Sequence, residues 1–176
     1  MPKTETREML VDAFFQIYRE KPVNKITIRE VSERAGFHRV TFYEYFSDIY
    51  DLLEQEEEEI LALQKEIILE PFEAGTLSIR NGTAIKSIQL LFERKGEKIA
   101  VLIGENGDAA FRTKIQQRIK WIIIHEIQVK GDLQTEYLAE FISSGLLTAF
   151  EKAYREKDDI DEVIKIMYPY IVKLFP

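Results

Sequence analysis

The sequence predicts an all-α protein: an N-terminal three-helix bundle carrying a helix-turn-helix, followed by a longer run of helices. Three observations predict it. Apolar residues recur at helical spacing along most of the chain. Only 5 Pro and 8 Gly interrupt the 176 residues, mostly between the periodic segments. The stretch from Ile26 to Leu53, ITIREVSERAGFHRVTFYEYFSDIYDLL, carries the start and stop signals of two short helices and the start of a third.

The first helix is expected over Thr4 to Arg19, closed by Pro22. Met9, Leu10, Ala13, Phe14, Ile17 and Tyr18 form its apolar face. Thr27 and Glu30 then have the spacing of a capping box, with Ile26 and Val31 placed as a hydrophobic staple. Gly36 ends that helix, because glycine takes the positive φ of a tight exit. A shorter helix covers His38 to Tyr45. Val31 and Ala35 should face the core, as should Phe42 and Phe46. His38, Arg39, Val40, Thr41, Tyr43, Glu44 and Tyr45 remain to divide between outer face and rim. Such a two-helix unit can lay its second helix in the DNA major groove.

The chemistry of that face is specific. Arginine can donate to guanine O6 and N7 together, so Arg39 is the candidate base reader, with Val40 beside it for a thymine methyl. Thr27, Thr41 and Tyr43 offer hydroxyls to phosphate oxygens, and Lys25 a cation. Tyr45 is divided evenly between DNA contact and packing.

The run A-G-x-x-x-x-T-F-Y-x-x-F (Ala35, Gly36, Thr41, Phe42, Tyr43, Phe46), with Ile26-Thr27 before it and Leu52-Leu53 after, resembles the DNA-binding motif of the TetR family of bacterial transcriptional regulators. The resemblance is strong over about the first third of the chain. It implies DNA-binding roles at the matching positions, within a domain of residues 1–47. It also implies a helical regulatory and dimerisation domain, residues 48–176, joined by a helix over 48–69. The expected partners are double-stranded operator DNA, a second copy of the chain, and a small-molecule effector that releases the repressor. One departure stands out: many TetR-like sequences carry lysine where this chain has Ile49, between Asp48 and Asp51.

Charge bears on this reading. The net charge of −7 argues against a chain that binds nucleic acid over its whole surface. Residues 1–50 hold eight Lys/Arg against eight Asp/Glu, so DNA contact must come from local placement of charge. That balance, with Ile49, keeps a second reading open: an adaptor of TetR shape that binds protein rather than DNA.

The linking helix should begin at Ser47 or Asp48, end at Leu69 and be stopped by Pro71. Its run from Glu54 to Glu59, five Glu in six positions, reads as a solvated face. Residues 71–82 read as a loop. A helix over 83–94 follows, broken at Gly96, then a short one over 97–103 ending at Gly104. Asp108 caps a helix over 109–128. Gly131-Asp132 separates it from helices over 133–155 and 160–175, the last kinked at Pro169. Phe141, Gly145, Thr148, Ile164 and Tyr168 are the candidate dimer contacts, and Phe92, Phe111, Trp121 and His125 the candidate effector-pocket wall. No cofactor or metal site is expected: Cys is absent, and neither His38 nor His125 has a Glu three residues earlier. No P-loop or nucleophile motif suggests an enzyme. No signal peptide or spanning segment is visible, so a cytoplasmic protein away from the membrane is expected.

Overall fold

The structure, a computed structural model, describes residues 3–127 and 133–173, all helix and connecting turn. Met1 and Pro2, the break at Gly131-Asp132, Gln128, and Leu174 and Phe175 lie outside the described residues. The order is α1 (Lys3–Tyr18), α2 (Ile28–Ala35), α3 (Arg39–Tyr43), α4 (Ile49–Gln64), α5 (Glu70–Glu73), α6 (Thr83–Ile103), α7 (Ala109–Ile127), α8 (Leu133–Glu156) and α9 (Ile160–Lys173). One buried cluster runs from Leu10 in α1 to Ile164 in α9, so the N-terminal unit and the later helices share a core. None of the described helices is long and apolar enough to cross a membrane.

α1 is buried on a wider arc than its stripe suggested. Leu10, Phe14, Ile17 and Tyr18 are inside as expected, and so are Val11 and Phe15, while Met9 is 37% exposed. The reason is position: α1 packs against α2 on one side and α6 on another, with Arg7 bound to α4.

Two breaks read from the sequence are absent. Pro71 does not stop the linking helix. Lys65–Leu69 widen into a π-helical turn in which Glu70 N donates to the Lys65 carbonyl. Pro71 then falls in the first turn of α5, where a missing N–H is tolerated. Gly96 does not break α6 either. A Cβ there would lie 1.7 Å from the Tyr154 hydroxyl, which donates to the Phe92 carbonyl at 3.3 Å. This glycine lets α8 approach α6; it has no role as a helix stop.

The glutamate run is also not a wholly solvated face. Glu56 is 0% exposed, held by Arg7 of α1 at 3.0 Å and Lys98 of α6 at 2.8 Å, with Lys95 at 3.9 Å. Glu57 is 7% exposed and faces the start of α7. The carboxylates thus sit at the joint between the N-terminal unit and the later helices, where burial of Glu56 is offset by three cations.

Candidate functional site

The helix-turn-helix is built by local signals that all agree. Thr27 takes an extended conformation and its hydroxyl accepts from Glu30 N at 3.2 Å, while the Glu30 carboxylate accepts from Thr27 N at 2.9 Å. Lys21 donates to the same carboxylate at 2.5 Å. That bond first, then the Thr27 hydroxyl and amide, holds the Glu30 carboxyl down at about 2. Gly36 closes α2 at φ 79°, a left-handed conformation that strains any L side chain. Val31, Ala35, Phe42 and Phe46 anchor the pair of helices to α1.

With Phe42 fully buried, the other side of α3 faces out. Arg39 is exposed, Val40 is 72% exposed and Tyr43 59%. His38 is exposed at the N-cap position, Thr41 is half-buried, and Thr27 and Lys25 are exposed ahead of α2. Tyr45 goes to the packing side: it is half-buried, its ring centroid 6.3 Å from that of Phe46.

Charge pairing sorts the cations of this region. Arg7, Arg19, Lys21, Arg29 and Arg34 each hold a carboxylate, those of Glu56, Glu97, Glu30, Glu33 and Glu20. Among the described residues of this region, Lys25 and Arg39 are the cations beyond α1 with no ion pair, and both flank the outward face of the motif. The acids that follow are engaged as caps. Asp48 accepts from Tyr50 N and Asp51 N at 2.8 and 2.9 Å, and Asp51 accepts from Ser47 N at 2.6 Å. That last bond is the main reason the Asp51 carboxyl titrates below its ordinary range. Ile49 is turned inward at 6% exposure, so the position where lysine is common faces the core here.

The later helices enclose a cavity of about 140 Å³ between the end of α4, the π turn, α6, α7, α8 and α9. Of the four wall residues expected from the sequence, Phe92 lines it. Phe111 is fully buried but elsewhere in the core, beside the cap at Asp108. Trp121 and His125 stack on each other at 3.9 Å, with His125 Nδ1 2.8 Å from the Trp121 carbonyl; neither reaches the cavity. Trp121 stands behind the wall, its ring 5.9 Å from that of Phe72, which does line it. The linking helix and α9 complete the wall: Gln64, Ile68 and Phe72 present one side at four-residue intervals, and Ile164 and Tyr168 another.

That placement moves two candidate dimer contacts. Ile164 is buried at 7%, and Tyr168 donates to the Ile79 carbonyl at 2.9 Å; both face the cavity. The open apolar surface of α8 and α9 is instead Leu133, Tyr137, Phe141, Ile166 and Tyr170, at 63–73% exposure. Gly145 lies on the same stripe of α8, exposed and with nothing within 4 Å of an added Cβ.

Fold and surface together define a helix-turn-helix protein whose reading head is carried on a larger helical body. Residues 10–55 match the family model described as bacterial regulatory proteins, tetR family. A curated relative from Haemophilus influenzae, described as an uncharacterized HTH-type transcriptional regulator, is 42% identical over 65 residues. The match covers 36% of this chain and spans about a third, 32%, of that relative. Solved structures agree along nearly the whole chain. The fatty acid degradation regulator FadR from Bacillus halodurans aligns with a TM-score of 0.64 at 15% identity, over 98% of this chain and 95% of its own. The regulatory protein TetR from Rhodobacter sphaeroides gives 0.60 at 18%, over 96% and 98%. The dihydroxyacetone kinase operon activator DhaS gives 0.55 at 14%, over 97% and 93%. Residues 10–55 therefore carry the TetR-family match, and the chain as a whole shares the fold of these solved structures.

Proposed function

We propose that this chain is a transcriptional repressor that binds operator DNA as a homodimer and is released when a small molecule enters the cavity of the later helices. The observation that carries the reading is the pairing pattern of the N-terminal cations: most are tied to carboxylates, while Arg39 and Lys25 are left facing outward around the helix-turn-helix. Arg39 reads a base beside Val40; Lys25, Thr27, Thr41 and Tyr43 hold phosphates; His38 lies at the edge of that footprint. The exposed apolar stripe of α8 and α9 supports a two-fold contact with a second copy, which is how two α3 helices are held at a fixed separation on DNA. A ligand acts on DNA affinity only through its differing affinity for two such separations. The π turn, α6 and α7 border the cavity, and α4 reaches from there to the reading head, so a change of cavity volume has a short route to α3.

The test is direct. Pure protein is incubated with genomic fragments, and the retained DNA is sequenced. A shared two-fold sequence with half-sites a turn or a multiple apart supports the proposal. Retention without sequence preference, together with capture of a defined protein partner, favours the adaptor reading.

A further inference from the structure

We infer that the molecule this cavity takes is a small uncharged hydrophobe, of the size class of a single substituted benzene ring, with no anionic head; the inference rests on the cavity being the effector site proposed above. Among the described residues 24 form the wall, and none of these carries a charged side chain. Isoleucine is its commonest residue, with at least one on each of α6, α7, α8 and α9. Two side chains bring strongly polar groups to it, Gln64 and Tyr168, and both are engaged within the chain. The Gln64 amide oxygen accepts from Arg118 at 2.9 Å. The Tyr168 hydroxyl donates to the Ile79 carbonyl at 2.9 Å.

The guanidinium that holds Gln64 is not part of the wall. Arg118 belongs to α7, but its Nη1 points to α4, where it also donates to the Leu61 carbonyl at 2.8 Å. An acid entering the cavity would therefore lose its hydration and meet no counter-ion among the described residues of the wall. Moving an unpaired carboxylate out of water into such surroundings costs far more than burial of a small hydrocarbon returns. Size points the same way. At about 140 Å³ the cavity is close to the ~150 Å³ of an apolar cavity lined by Leu, Ile and Phe that stays dry and takes benzene.

The arrangement supplies its own reporter. Trp121 contacts Phe72 edge to face, and Phe72 is wall. A guest that shifts Phe72 changes the surroundings of the indole without touching it.

The experiment uses the full chain with toluene and with benzoate, which is similar in size and charged. Toluene should raise the thermal midpoint and change Trp121 emission saturably, and benzoate at equal free concentration should do neither. Ala84 is 5% exposed and lines the wall, so Ala84→Leu fills part of the space. It should weaken toluene by about tenfold or more. Ile119→Phe, on α7, is the second filled variant, and helical circular dichroism checks that each folds. Benzoate binding as tightly as toluene, or toluene affinity unchanged in both folded variants, overturns the inference. DNA retention separates this from the wider reading. If a charged compound alone releases operator DNA and toluene does not bind, the ligand class is wrong and the regulator reading stands. If toluene binds as described but no DNA sequence is ever selected, the class stands and the regulator reading falls.

Discussion

The two ends of this chain fill their interiors to different completeness. In the N-terminal unit Leu10, Phe14, Val31 and Phe42 are sealed at 0% exposure, and the caps of α2 and α4 are closed by side chains. Both ends expose apolar side chains on their outer faces, Val40 at 72% on α3 and Phe141 at 73% on α8, but in the later helices the isoleucines also surround a cavity. A reading head works by holding a few side chains in fixed positions, which needs a close-packed support. A body that is to take the proposed ligand needs space that its own chain does not fill. The interior is thus filled beneath α3 and left open where a ligand is proposed.

The largest effect that would break this contrast comes from one substitution made at both ends. Leu52 is 0% exposed in the close-packed region, while Leu147 is 2% exposed but lines the cavity. A side chain facing empty space makes fewer dispersion contacts than one surrounded on all sides. Leu52→Ala should cost about 4–5 kcal/mol and Leu147→Ala about 2–3 kcal/mol, the two ends of the range for such changes. Urea unfolding of both variants measures it. Equal losses would show that the cavity walls are packed as tightly as the reading head.

What was legible in the sequence follows the same division. Thr27, Glu30, Gly36 and Asp108 act on backbone groups a few residues away, so their roles could be read from spacing alone, and each was found where expected. Gly96 could not be read that way. Its reason is Tyr154, 58 positions later, and nothing near it in sequence distinguishes a close helix crossing from a helix stop. The same applies to Glu56, whose burial depends on Arg7 and Lys98 from other helices, and to Trp121, which faces Phe72 and not the cavity. The apolar stripes of α6 and α7 were visible, but whether they close on each other or on a void is set by several helices at once. On α3, burial of Phe42 decides which neighbours face out, so the outward orientation of Arg39, Val40 and Tyr43 was legible.

At the reading head the next effect is smaller. If Arg39 donates to one guanine, Arg39→Ala should cost about 1–3 kcal/mol on the selected operator and relax preference at one base pair per half-site. Tyr43→Phe should instead weaken selected and random DNA alike. Electrophoretic shifts on both DNAs for both variants decide it, and parallel losses would remove the division between base reader and phosphate holder.

The joint between the two regions gives a pH prediction. Glu57 has one carboxylate oxygen with no hydrogen-bond partner, as has the Tyr18 hydroxyl of α1. Burial first, then the Asp108 carboxylate, and to a lesser extent Glu54, raise the Glu57 carboxyl from 4.5 to about 7, against the opposing pull of Lys114. The same burial, with Asp108 and Glu57 nearby, pushes the Tyr18 hydroxyl up to about 12. Because the folded state binds the Glu57 proton more tightly than the unfolded chain, this group makes stability fall as pH rises from about 4.5 to 7, and the loss is complete above that. Glu57→Gln removes the contribution. The variant should gain about 1–2 kcal/mol over wild type at pH 8 and little at pH 5. A gain of equal size at both pH values would assign the effect to packing instead of the proton.

The smallest effect concerns salt, and it sharpens the view of the reading head as an electrostatically sparse surface. Ile49 occupies the place where a lysine could reach phosphate, and it is core, so adding lysine there would bury a charge and confuse binding with folding. Lys25 gives the cleaner variant. It is exposed, it has no ion pair among the described residues, and it adjoins the Thr27 cap. Each phosphate contact contributes about 0.9 to the slope of log K against log salt. Lys25→Ala should therefore flatten the slope by about one unit per protomer, with sequence preference unchanged. With few free cations at the motif, the wild-type slope itself should be shallow. A steep wild-type slope that Lys25→Ala leaves untouched would mean that cations now paired to Glu20, Glu30 or Glu33 change partner on DNA, and that the pairing seen in the free chain does not describe the bound one.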